Sequence, residues 1–160
     1  MPASPLNIKI SGIDSSFRKL KSNYTAAIEE VDREMAASLE QMATTAKSIF
    51  PSGNPLIKGQ TRVYSQIRAT IRSKKNFPYN YSLIAGRAND PMAAYIEFGT
   101  GRYFPQYPGK EKEWQDLARQ YYVDGSGFMR PSPYLYPSVK SGLVSMISNI
   151  KQIFKRYERL

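Results

Sequence analysis

A chain of 160 residues with 23 basic and 13 acidic side chains carries a formal charge of +10, and it contains neither cysteine nor histidine. Disulfides, thiol nucleophiles, Cys/His zinc sites and every imidazole-based acid–base mechanism are thereby excluded. Its 41% apolar residues suffice for a packed core, and no run of about 18 apolar residues is present to span a bilayer. Met1–Ile10 lacks a basic region followed by a long apolar stretch, so it does not read as a secretory signal.

In chain order, Leu6, Ile8 and Ile10 alternate with polar residues and close on Gly12, which predicts a short half-buried strand. Phe17, Leu20, Tyr24, Ile28, Val31, Met35, Leu39, Met42, Ala46 and Ile49 then recur at steps of three and four. That is one apolar stripe on a long helix over about 15–50, capped by Asp14, Ser15 or Ser16 and stopped by Pro51. Val63, Ser65, Ile67, Ala69 and Ile71 alternate with Tyr64, Gln66, Arg68, Thr70 and Arg72, which predicts a strand with one basic face. Lys74, Lys75 and Asn76 form a polar turn, and Tyr79–Ala85 a second strand, completing an antiparallel hairpin. Met92–Phe98 is a short helix.

A loop-rich insert over 103–127 follows and holds a small amphipathic helix, Lys110–Tyr122, built on Trp114, Leu117 and Ala118. Arg130–Pro137 has three prolines in seven residues and is expected to be extended. Val139, Leu143, Met146, Ile147, Ile150, Ile153, Phe154 and Tyr157 form the stripe of a last helix capped by Ser138. The order describes one α+β domain over 1–160, a small antiparallel sheet packed by a long N-terminal helix and a C-terminal helix.

The charge is uneven. From Gln41 to Asn89 there is no acidic residue, while Arg62, Arg68, Arg72, Lys74 and Lys75 all fall there. Such a zone is suited to a polyanion, most simply nucleic acid; it equally describes a solvated face that keeps the chain soluble. The carboxylates Asp14, Asp90, Glu97, Asp116 and Asp124 are scattered and lack the convergent spacing that two-metal hydrolysis needs. Gly99-Thr100-Gly101 and Gly125-Ser126-Gly127 do not fit a phosphate-cradling loop. The expectation is a non-enzyme without metal or cofactor.

Two segments carry a resemblance. Ala93-Ala94-Tyr95-Ile96-Glu97-Phe98-Gly99-Thr100, followed by Arg130-Pro131-Ser132-Pro133-Tyr134-Leu135-Tyr136-Pro137, resembles the head–tail joining and tail-completion proteins of long-tailed bacteriophages. The opening Gly12-Ile13-Asp14 and the helix end Ala46-Lys47 before Pro51 match the same pattern in order. The looser Pro51–Arg62 and the long stretch from Gly101 to Met129 depart from it.

The resemblance implies a structural virion protein of the phage neck, assembled in the bacterial cytoplasm. Such proteins form a ring, commonly hexameric, that completes or terminates the tail and joins it to the head connector. Its implied partners are copies of itself, the neck connector and tail tube proteins, and genomic double-stranded DNA in the bore, with no membrane contact. Arg62, Arg68, Arg72, Lys74 and Lys75 would face the bore. Tyr95, Glu97, Phe98, Gly99, Thr100, Trp114, Pro131, Pro133, Tyr134, Leu135 and Tyr136 would make the subunit interface. Two roles fit Glu97: pairing with a basic residue of the next subunit, or satisfying amides within its own chain. The competing function is a free-standing basic nucleic-acid-binding module, with Tyr64, Tyr79 and Tyr81 as candidate stacking residues.

Overall fold

A computed structural model of the protein describes residues 6–10, 25–52, 60–120 and 129–157. The expected helical turns over 15–24 and the end of the insert at 121–127 lie outside them. The elements are β1 (Leu6–Ile10), α1 (Thr25–Ile49), α2 (Gln60–Thr70), β2 (Arg72–Phe77), β3 (Asn80–Ala85), α3 (Met92–Phe98), a 3-10 segment (Gly101–Gln106), α4 (Lys112–Arg119) and α5 (Leu135–Tyr157). This is an α+β fold: five helices and a three-stranded antiparallel sheet in the order β1-β3-β2 among the described residues.

Leu6 stands opposite Ala85, Ile8 opposite Leu83, and Lys75 opposite Tyr81. Alternation along the strands puts Leu6, Tyr81, Leu83 and Ala85 on one face, and all four are buried. α1 lies against the sheet with Ala27, Ile28, Val31, Met35, Leu39, Met42 and Ala46 turned inward. Just past the end of the helix, Phe50 packs edge-on against Tyr134 with centroids 4.6 Å apart.

α5 runs antiparallel beside α1. Near the start of α1, Arg156 pairs with Glu30 and Asn149 Nδ2 donates to Glu34 Oε1 at 2.8 Å. Further along, Gly142 lets the two helices close up: a Cβ there would stand 2.3 Å from Met42 Cγ. Val139, Met146 and Ile153 fill the seam.

Three expectations are corrected. Residues 60–70 form a helix rather than the first strand of the hairpin. The alternation of Val63, Ser65, Ile67 and Ile71 coexists with a helical spacing of Tyr64, Ile67 and Ile71, and those three are buried while Val63 is exposed. Lys74, Lys75 and Asn76 are therefore not a turn but the middle of β2, and the hairpin turns at Pro78-Tyr79, with Tyr79 at φ +60°. The proline segment is extended only as far as Tyr134. Helix α5 then starts at Leu135, and Pro137 sits in its first turn, where no backbone N–H is needed.

Candidate functional site

The two segments that carry the resemblance meet. α3 presents Glu97 inward, where its residue is 0% exposed. Its Oε2 accepts from the backbone amides of Tyr134 at 2.7 Å and Leu135 at 2.8 Å. Its Oε1 accepts from the Tyr136 amide at 3.0 Å and the Tyr107 hydroxyl at 3.2 Å. The first amides of a helix have no partner inside it and carry a partial positive charge, so a carboxylate is the group that suits them. Glu97 is thus the N-terminal cap of α5, supplied from 37 residues upstream.

Ser138, the expected cap, instead lies inside α5 and donates from Oγ to the Tyr134 carbonyl at 2.6 Å. Burial pushes the Glu97 carboxyl above its ordinary value, against the opposing pull of the three amides and the phenol. The Tyr134 and Tyr107 hydroxyls are likewise raised, first by burial and then by the adjacent Glu97 charge.

The remaining residues of the two segments complete the junction. Gly99 adopts φ +75°, and a Cβ on it would stand 2.8 Å from Pro131 N and 2.9 Å from the Met129 carbonyl. Only glycine lets the chain pass there. Thr100 N donates to the Met129 carbonyl at 2.8 Å, Thr100 Oγ1 accepts from Met129 N at 3.0 Å, and Ser132 N donates to the Ile96 carbonyl at 2.8 Å. The Tyr134 hydroxyl reaches the Ala93 carbonyl at 3.1 Å.

The insert closes over this junction. Tyr107 stacks edge-on to Phe98 at 5.0 Å and to Tyr136 at 5.8 Å, and Trp114 to Tyr136 at 5.3 Å. From α4's side, Glu111 accepts from Lys140 at 3.1 Å.

The expected interface residues divide accordingly. Glu97, Phe98, Gly99, Thr100, Tyr134 and Leu135 are buried within the chain, so their side chains offer no surface to a neighbour. Tyr95, Trp114, Pro131, Pro133 and Tyr136 are half-buried. Of the two roles that fitted Glu97, the intrachain one is the one formed.

The basic residues do not share one strand face. Arg62 and Arg68 stand exposed on α2, while Arg72 and Lys74 lie on the sheet face away from α1, opposite Ile84 and Ser82. Lys75 turns to the other face and pairs with Asp32 of α1. Asp32 Oδ1 also accepts from the Tyr79 amide at 3.1 Å and the Tyr81 hydroxyl at 2.8 Å. Burial raises the Asp32 carboxyl, but Lys75, the Tyr79 amide and Tyr81 outweigh it and hold it below its ordinary value. This clasp, which ties the left-handed hairpin turn to α1, has no sequence signature: its members lie more than 40 residues apart.

The stacking candidates Tyr64 and Tyr81 are buried and Tyr79 is half-buried; the exposed aromatic on the hairpin is Phe77, at 70%. Among the described residues no group of three or more His, Cys, Asp or Glu is placed to hold a metal, and no helix is long and apolar enough to cross a membrane. Comparison with protein-family models, with curated proteins and with solved structures finds no match to this chain.

Proposed function

We propose that this chain is a non-catalytic structural subunit of a bacteriophage neck. It forms a ring that completes or terminates the tail, joins it to the head connector and passes double-stranded DNA through its bore. One observation carries the proposal: the Glu-Phe-Gly-Thr box and the proline segment, by which the chain resembles that family, interlock as one unit through Glu97. Their co-occurrence in the sequence thus has a physical cause. A box that caps a distant helix is useless without that helix, and at Gly99 both the positive φ and the crossing of Pro131 exclude a side chain.

The exposed cations suit the bore. Arg62, Arg68, Arg72 and Lys74 offer charge to phosphates without sequence readout, which holds DNA loosely enough to slide. The second reading, a free-standing nucleic-acid-binding module, draws on the exposed Phe77 beside Lys74.

Antibody labelling and quantitative mass spectrometry of purified virions distinguish the two. A neck subunit is found at the head–tail junction, in a ring's copy number. A free module is absent from virions and retards DNA on its own at low salt.

A further inference from the structure

We propose that the ring contact is made by the outer face of α5 of one copy lying antiparallel on the outer face of α1 of the next. This rests on the ring-forming reading above and names its seam. With the box and proline segment closed inside the chain, the large apolar surface left on the helix pair is on α5. Val144 is 69% and Ile147 47% exposed, next to the half-buried Leu143 and Phe154. These lie at heptad-like steps beside the seam that Val139, Met146 and Ile153 make with α1. The apolar arc of α5 therefore runs past the part packed in the core, through the partly buried Leu143 and Phe154 to the exposed Val144 and Ile147.

Charge selects the occupant. Residues 135–157 contain no acidic side chain, and the exposed arc of α5 is flanked by Lys140 and Lys151. The outward face of α1 carries the exposed Glu29 and Glu40 with the small Ala26 and Ala37 along the same line. Lys140 and Lys151 are eleven residues apart, and so are Glu29 and Glu40. Both pairs thus span about 16 Å of helix at 1.5 Å per residue.

Setting Glu29 against Lys151 and Glu40 against Lys140 in antiparallel register places Ala26 opposite Phe154 and Ala37 opposite Leu143 and Val144. Arg33 falls opposite Ile147, where its aliphatic stem can cover the side chain. Large residues meet small ones and each lysine meets a glutamate. Within its own chain Lys140 already donates to Glu111 and to the Tyr136 hydroxyl, both exposed contacts, which leaves one of its three protons for the neighbour. Because the two faces differ, the contact is head-to-tail, the kind of interface from which a closed ring is built when the rotation between copies closes.

The absence of cysteine makes the test clean. Two singly substituted full-length proteins, Ala37→Cys and Val144→Cys, are mixed at high concentration and mildly oxidised. The proposal expects the mixed disulfide dimer in excess over either homodimer. Adding Lys151→Glu to the Val144→Cys protein should lower its yield about tenfold, and Glu29→Lys in the Ala37→Cys protein should restore it. A mixture that stays monomeric, a Val144→Cys homodimer as the main product, or a yield indifferent to the charge swap overturns the seam. The ring reading itself is tested separately, by the presence of the chain at the neck of virions.

Discussion

At Glu97 a full carboxylate is closed away from water, and four donors converge on it. Removing one partner of a buried charged network typically costs about 3–5 kcal/mol, because the rest is left unsatisfied. Glu97→Ala is therefore expected to lower the unfolding free energy by roughly that amount. Glu97→Gln should lose a large part of it, since its amide nitrogen faces donors; denaturant melts measure both. Asp32 behaves oppositely with pH to a group whose value is raised. Its carboxyl is lowered in the folded chain, so the stability it contributes is present above its unfolded pKa and is lost as pH falls through the folded one. The stability difference between the wild type and Asp32→Asn should accordingly shrink on acidification below about pH 4. A difference that grows there contradicts the clasp.

Helices and strands differ in how much the letters disclosed. The stripe of α1 needed only its own spacing: Ile28, Val31, Met35, Leu39, Met42 and Ala46 are buried as expected, while Ile49, in its last turn, is exposed. The alternation from Val63 to Arg72 predicts a strand; a helix forms over 60–70 instead because Tyr64, Ile67 and Ile71 meet the core on one side. The start of α5 was hidden for another reason. Its cap is not adjacent in sequence, so Pro137 looked like an interruption when it is a tolerated first-turn residue. The box was legible as distinctive, but what Glu97 touches depends on a segment 37 residues away.

Two substitutions test the junction. Gly99→Ala forces a side chain into a left-handed backbone against Pro131 and should destabilise the fold by about 2 kcal/mol or more. Pro137→Ala, exposed in the first turn, should leave stability within about 0.5 kcal/mol. Thermal melts that rank the two the other way contradict this geometry. Tyr134→Ala, at a position that the resemblance assigns to the subunit interface, removes a core side chain instead and is expected to cost about 3–5 kcal/mol.

For the whole molecule the proposed function rests on the charge distribution and the proposed seam. Arg68 and Arg72 are exposed, and exposed charges contribute little to stability. Reversing both to glutamate should leave the melting temperature nearly unchanged while impairing DNA retention in virions; full packaging and infectivity in that variant contradict a bore-facing role. The most direct measurement is electron microscopy of phage particles produced without this chain. A neck subunit predicts unjoined heads and tails, or tails of uncontrolled length. Complete, infectious virions made in its absence contradict the account.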